Sequence, residues 1–199
     1  MGFLSVLSMA HKLVAERVSP GDTVVDATCG NGVDTQFLAE LVGPRGLVYA
    51  FDIQERALER TRQRLAEALG GVNVQPPNLC LVQDSHAAMA SHVAAGTHGR
   101  LAAAMFNLGY LPGADPALIT KTESTLEALE AAQSLLRPGG IMTIVLYPGH
   151  SGGELEASAV EDWAASLPQS NGQAILYRFA QKQDAPFLIA VEKRQPRHT

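Results

Sequence analysis

The apolar pair Val24-Val25 closing on Asp26, followed by Ala27-Thr28-Cys29-Gly30-Asn31-Gly32, constrains this chain more than any other stretch. A valine-rich segment that ends in a Gly-x-Gly turn, with a helical pattern starting at Val33, reads as a buried parallel strand feeding a helix. Glycine permits the sharp turn and lets a ligand lie against main chain rather than side chain. About twenty residues further on, a spacing typical of nucleotide-binding βαβ units, the run Tyr49-Ala50-Phe51 ends in Asp52. Its carboxylate suits the two hydroxyls of a ribose. The pattern points to a nucleoside ligand.

Which nucleoside follows from what the loop lacks. The third glycine of a dinucleotide fingerprint would fall on Thr35, and Asp26 stands just upstream, where it would repel a pyrophosphate. The same carboxylate would attract the α-ammonium of a methionine moiety, directly or through water. The arrangement D-x-x-C-G-x-G with a downstream Asp resembles the S-adenosylmethionine (SAM) site of class I methyltransferases. That resemblance implies cofactor contacts from Asp26, Thr28, Gly30, Asn31, Gly32 and Asp34. It also implies Asp52, Ile53 and Gln54 after the second strand, and Asp84, Ser85 and His86 after the third. NAD binding, or a strand-turn-helix without a ligand, are the competing readings.

Strand and helix signals alternate throughout, the mark of an α/β fold with a mostly parallel sheet. Strands are expected at Thr23–Thr28, Leu47–Ile53, Leu79–Gln83, Ala102–Asn107 and Ile141–Tyr147, and helices at Leu4–Val18, Val33–Leu41, Glu55–Leu69, after Ser85, at Thr122–Leu136 and at Leu155–Leu167. The turn Arg137-Pro138-Gly139-Gly140 is expected to stop the helix before it. Gly70–Asn78 and Ala94–Gly99 read as surface loops. Two last strand signals, Ala174–Phe179 and Phe187–Val191, lie too close together for a helical crossover and must pair antiparallel. The expected fold is a doubly wound, Rossmann-like, seven-stranded mostly parallel sheet with an antiparallel C-terminal hairpin, forming a single domain over residues 1–199.

The chain has 199 residues, 46% of them hydrophobic, enough for one well-filled core. No apolar run reaches the length of a membrane span. The opening Met1-Gly2-Phe3-Leu4-Ser5-Val6-Leu7 lacks a cationic start and runs into an amphipathic helix, unlike a signal peptide. Cys29 and Cys80 form neither a metal spacing nor a disulfide framework, so a cytoplasmic protein with reduced thiols and no metal is expected. The sequence leaves a homodimer open. A formal charge of −5 has the wrong sign for non-specific nucleic-acid binding, so an RNA substrate would need a local basic patch.

In such a sheet the ligand sits at the carboxyl ends of the strands. Asp84 is placed to accept from an adenine amino group, to cap the following short helix, or both. Past the fourth strand comes Asn107-Leu108-Gly109-Tyr110-Leu111-Pro112-Gly113. Asn-Leu-Gly-Tyr resembles the Asn-Pro-Pro-Tyr motif of methyltransferases acting on planar amines or amides. There the Asn carbonyl accepts from the nitrogen nucleophile and aims its lone pair, while the Tyr ring offers a stacking face. Leu108-Gly109 replaces two prolines, which loosens the turn and weakens the case for a ring amine. After the fifth strand, Tyr147-Pro148-Gly149-His150-Ser151-Gly152-Gly153 opens onto the same edge, with His150 as a proton acceptor or phosphate ligand. His11, Lys12 and Lys121 could supply positive charge, whereas Arg56, Arg60, Arg62 and Arg64 read as a solvated helix face. Methylation at C5 of a pyrimidine needs a thiolate, and neither cysteine lies in the fourth or fifth strand loop. Ribose O-methylation lacks its lysine-centred base. An amine acceptor fits best.

As a set, D-A-T-C-G-N-G, F-D-I-Q, Q-D-S-H, N-L-G-Y-L-P-G, Y-P-G-H-x-G-G and P-F-L-I-A-V-E-K resemble, over nearly the whole chain, the bacterial YtqB-like rRNA methylase family. The characterised members of that family (MnmM) are tRNA 5-(aminomethyl)-2-thiouridine methyltransferases. The resemblance implies transfer of a methyl from SAM to the side-chain amine of the wobble uridine. On this reading Asn107 and Tyr110 are expected to position the aminomethyl uridine, His150 to take its proton or join Lys12 and Lys121 at the tRNA anticodon arm, and Leu111, Pro112 and Tyr147 to bind the substrate. Methylation of another RNA such as rRNA, or of a small-molecule amine, is the alternative.

Overall fold

The computed structural model describes residues 2–69, 78–109, 121–149, 152–182 and 184–195. Its elements run α1 (Val6–Ala15), β1 (Thr23–Asp26), α2 (Val33–Val42), β2 (Leu47–Asp52), α3 (Glu55–Ala68), β3 (Leu79–Gln83), α4 (Met89–His92), β4 (Leu101–Leu108), α5 (Thr122–Leu135), β5 (Leu136–Leu146), α6 (Gly153–Ser166), β6 (Gly172–Tyr177) and β7 (Phe187–Lys193). Short 3-10 turns cover His86–Ala88 and Ala95–Thr97. The strands form a seven-stranded sheet in the order β3-β2-β1-β4-β5-β7-β6. β1 to β5 are parallel, and β7 runs antiparallel between β5 and β6. The expected C-terminal hairpin is therefore present, with its second strand inserted inside the sheet and β6 on the edge.

Side chains alternate across the strands, so neighbours in sequence serve opposite layers. Val25, Ala104, Phe106, Met142 and Ile144 join the core under α5 and α6, with Leu129, Ala132 and Val160. Val24, Val48, Ala103, Met105 and Val145 join the other core, with Ala10 and Val14 of α1 and Leu38 of α2. Burial on both faces explains why β1 and β4 read as continuous apolar runs rather than alternating ones. Each fully buried large side chain contributes about 1.5–3 kcal/mol.

The Arg137-Pro138-Gly139-Gly140 turn does not cap α5. The helix ends at Leu135 and Leu136 is already extended, φ −62°, ψ 142°. Leu136 pairs with Leu101, the next pair is Ile141 with Ala103, and the residues between bulge out of β5. Gly139 takes φ +77°, and a Cβ on Gly140 would stand 2.9 Å from the Leu101 and Arg137 carbonyl oxygens. The bulge lets Arg137 donate to both oxygens of Asp22, at 2.7 and 2.9 Å, and to the Arg17 carbonyl. The guanidinium holds the Asp22 carboxyl below the usual range although burial opposes it. Of the expected surface loops, 94–99 is described and 70–77 lies outside the described residues.

Gly140→Ala should lower the unfolding free energy by about 1–3 kcal/mol through overpacking, read from urea titration. An unchanged midpoint would mean that the bulge has slack to give.

Candidate active site

The strand order reverses between β1 and β4, and in doubly wound sheets the crevice at such a reversal, outside the carboxyl ends of the strands, takes the ligand. Here the two lips are tied together. The Ala27 N–H donates to Met105 O at 2.8 Å, and the Asn107 N–H donates to Thr28 Oγ1 at 2.8 Å. Thr28, expected to touch cofactor, thus has its hydroxyl oxygen engaged by the backbone of the Asn107 turn.

The glycine loop is held from below and from the side. Asp52 Oδ2 accepts from the Gly30 N–H at 3.1 Å and Oδ1 from the Gln54 N–H at 2.9 Å. From α3, Arg60 donates to the Asn31 side-chain oxygen at 3.1 Å, Arg64 to the Asn31 carbonyl at 2.7 Å and Thr61 to the Gly30 carbonyl at 3.3 Å. Arg60 and Arg64 are therefore no mere solvated face: they brace the loop, which helix periodicity alone could not reveal. Gly32 has φ +76°, and a Cβ there would meet the Thr61 backbone at 2.8 Å. The space beside Gly32 is filled by α3, so this glycine serves helix packing.

At the end of β3, Asp84 does not cap the next turn. Ser85 does, its hydroxyl accepting from the Ala87 N–H. Asp84 Oδ1 accepts from the Ser85 N–H at 2.7 Å, and Oδ2 lies 2.7 Å from His92 Nε2. His92 and the Ser85 N–H hold this carboxyl below its usual range. His86 is buried, tilted against Phe106 at 5.9 Å and hydrogen-bonded to the Ala27 backbone. Burial lowers its basicity. Asp52 pairs in register with Gln83, which sets Asp84 beside Ile53, a large apolar side chain that is 53% exposed.

Past β4, the Asn107 side chain is hydrogen-bonded to Tyr147. A Cβ on Gly109 would lie 3.1 Å from the Tyr147 ring, so any larger residue there would make the ring give by a few tenths of an ångström, and glycine at this position of the motif lets the ring pack close. Burial and the nearby Asp34 charge push the Tyr147 hydroxyl up, against the Asn107 hydrogen bond. Asp34 lies 2.6 Å from His11 Nε2, and the His11 ring stacks on Phe37 at 3.9 Å. Sequence reasoning gave His11 no such partner, because the docking of α1 on α2 is a tertiary event. Lys12 is paired with Glu16 one helical turn on, and Lys121 is exposed ahead of α5. The expectations for Tyr110, Leu111, Pro112 and His150 lie outside the described residues.

Asp26 is fully buried, accepting from the Thr28 N–H at 3.1 Å and the Thr35 hydroxyl at 2.6 Å. Its carboxyl is pushed up to about 7, first by burial, then by the Asp34 charge, with both hydrogen bonds opposing. Burial also raises Asp52, and it pushes the Cys29 thiol up, which leaves that sulfur inert. The donor set fits SAM. Carboxylates at the crevice favour a cation, Asp52 keeps acceptor capacity for ribose hydroxyls beyond its backbone bonds, and Ile53 offers a base an apolar face. Among the described residues no cluster of three metal-ligating side chains occurs.

A carboxyl whose folded pKa is raised stabilises the fold most at pH values below its unfolded pKa. For Asp26 that contribution is full below 3.8, the ordinary value for an aspartate, and is lost as pH rises through about 7. Ligand-free protein should therefore lose stability across that window, and Asp26→Asn should flatten the slope in urea unfolding. An unaltered slope would assign the loss to other groups.

Residues 48–192 match a family model described as "Putative rRNA methylase", and residues 18–77 a general methyltransferase-domain model. A curated relative, the chloroplastic tRNA (mnm(5)s(2)U34)-methyltransferase of Arabidopsis thaliana, is 39% identical over 195 residues, 94% of this chain and 69% of that protein. A Streptococcus mutans protein solved in complex with SAH is 34% identical, with 96% of this chain and 99% of that one covered and a TM-score of 0.82. An rRNA methylase from Streptococcus thermophilus is 36% identical over 98% of this chain and 100% of that one, with a TM-score of 0.78. The crevice at the β1–β4 reversal and this similarity along most of the chain agree: the protein belongs to the "Putative rRNA methylase" family of SAM-dependent methyltransferases.

Proposed function

We propose that this methyltransferase moves a methyl group from SAM to the aminomethyl nitrogen at C5 of the tRNA wobble 2-thiouridine, giving the methylaminomethyl product. The observation that carries the reading is the seating of Asn107. Its backbone is tied to Thr28 across the sheet reversal and its side chain to Tyr147, so an amide stands at the mouth of the cofactor crevice. An amide carbonyl there accepts from an amine and directs its lone pair. The Arabidopsis relative is named for methylation at the same wobble uridine, which supports this reading.

SAM supplies, when bound, a sulfonium methyl open to attack by a neutral amine. Asp52, Ile53 and Asp84 hold the nucleoside part, and the field of Asp26 favours the cationic part. Asn107 with Tyr110 positions the aminomethyl arm. A C5 methylation would need a thiolate, and the buried, raised Cys29 cannot supply one. Lys121 and Lys12 meet the anticodon arm, Lys12 by exchanging Glu16 for a phosphate. The enzyme works in the cytoplasm, where its tRNA resides.

Nucleoside mass spectrometry of tRNA from a strain lacking the protein tests this reading. Accumulated 5-aminomethyl-2-thiouridine is expected, and unchanged wobble nucleosides would exclude it. Substrate affinity should also fall steeply as salt rises, since phosphate contacts release counterions; a flat salt response would favour a small-molecule amine. Asn107→Ala should cut turnover about tenfold, roughly 1.4 kcal/mol, and leave SAM affinity nearly intact. Matching losses in both would reassign Asn107 to the cofactor.

A further inference from the structure

We propose that Thr28 and His86 serve the methyl acceptor rather than the cofactor, as positioning residues that part β1 from β4 at the asparagine turn. This rests on the aminomethyl reading above, in which Asn107 meets the amine.

The observation is a ladder broken at one bond. β1 and β4 pair in parallel with Asp26 opposite Met105, and the Ala27 N–H still donates to the Met105 carbonyl at 2.8 Å. In a regular parallel ladder the same residue also accepts through its carbonyl, from the residue two further along the partner strand. Here that donor would be the Asn107 N–H, which donates instead to the Thr28 hydroxyl oxygen at 2.8 Å. The Ala27 carbonyl is taken elsewhere. His86 is hydrogen-bonded to the Ala27 backbone, and because the Ala27 N–H is spent on Met105, the ring donates to the carbonyl. Two side chains thus replace the two halves of one backbone bond, so neither polar group is left without a partner.

Both side chains are anchored for this. The Thr28 N–H donates to Asp26 Oδ1 at 3.1 Å, and Asp26 Oδ2 accepts from the Thr35 hydroxyl of α2 at 2.6 Å. Thr28 therefore hangs from a carboxylate that is itself fixed. His86 is buried in the turn capped by Ser85, with its ring against Phe106, the β4 residue next to Asn107. Were the ladder bond formed, β1 and β4 would stay about 4.8 Å apart past Ala27, and the crevice would begin one residue further out. With the bond replaced, the strands part at Asn107 itself. The Thr28 oxygen, bonded across the gap, sets how far they part and so where the Asn107 amide stands.

The test is single-turnover methylation of tRNA bearing 5-aminomethyl-2-thiouridine at saturating SAM, by wild type, Thr28→Val and Thr28→Ser, with SAM affinity read by calorimetry. Valine keeps the branched shape of threonine without its oxygen, and serine keeps the oxygen. Thr28→Val should be about tenfold slower or more, since misplacing a reacting group by ~1 Å can cost a hundredfold. Its SAM affinity should be unchanged, and Thr28→Ser should recover most of the rate. A cofactor contact gives the opposite split, weaker SAM binding with a normal rate at saturation. That split, equal losses in both, or no change in either would overturn the proposal. A thermal double-mutant cycle with His86→Leu checks the ladder without any substrate. Each single variant strands one half of the bond, whereas the double variant frees the Asn107 N–H and the Ala27 carbonyl to pair with each other. Its Tm loss should therefore fall short of the sum of the single losses while its rate stays low; additive losses, or a wild-type rate in the double variant, count against the proposal. Should Thr28→Val fail to fold, the double variant carries the rate test: slow transfer with intact SAM affinity supports the proposal, and a wild-type rate overturns it. Absence of wild-type turnover on this tRNA would overturn the proposed function and this inference together, whereas wild-type turnover with an unaltered Thr28→Val overturns the inference alone.

Discussion

A carboxylate kept wholly out of water at the end of β1 sets the terms for the rest of the site. Burying a charge is costly unless hydrogen bonds or an opposite charge offset it. Asp26 has the Thr28 N–H and the Thr35 hydroxyl, and these do not suffice: its carboxyl is pushed up to about 7. Asp34 and Asp52 add negative field at the same strand ends. A crevice in this condition favours a cation. The reagent of a methyltransferase carries a sulfonium, and the proposed acceptor arrives as an ammonium, so the electrostatics suit both. Asp26 acts through its field and through the loop it anchors, since no solvent reaches it.

The loop above that carboxylate is organised before any ligand arrives. Its carbonyls and amides are taken up by Asp52 from β2 and by Arg60, Thr61 and Arg64 from α3. Preorganised groups lose little freedom when a ligand binds. The same stitching joins the cofactor lip to the acceptor lip through Thr28 and Asn107, so a shift on one side is felt on the other. Gly109 belongs to this scheme, because the Tyr147 ring, just past β5, packs close beside it, 3.1 Å from where a Cβ would stand.

The overall acidity of the chain sits with this picture. A charge of −5 opposes unspecific hold on RNA, and Asp26, Asp34 and Asp52 near the strand ends belong to that acidic balance. In the proposed function, hold on an anticodon arm falls to exposed cations such as Lys121 ahead of α5 and to recognition of the modified base itself.

Periodicity and turn chemistry made most of the architecture legible: five parallel strands ending near Asp26, Asp52, Gln83, Asn107 and Leu146, and a closing hairpin too short for a crossover. They placed the stop of α5 within one residue but took the Arg137 to Gly140 segment for its cap, whereas Leu136 already pairs with Leu101 and the segment bulges out of β5. They left Asp84 as an adenine contact, a helix cap or both, and Ser85 fills the capping role, because two adjacent residues of similar capping propensity cannot be told apart by type alone. What the sequence by itself determined was the order of elements and the acids at the strand ends, since burial and backbone propensity act locally and leave a mark in residue type. The tertiary structure alone decided that α3 arginines grip the glycine loop, that Tyr147 fills the space beside Gly109, and that His11 meets Asp34. These contacts join residues far apart in the chain, and helix docking angles, which set them, are written in the sum of packing forces rather than in any one segment.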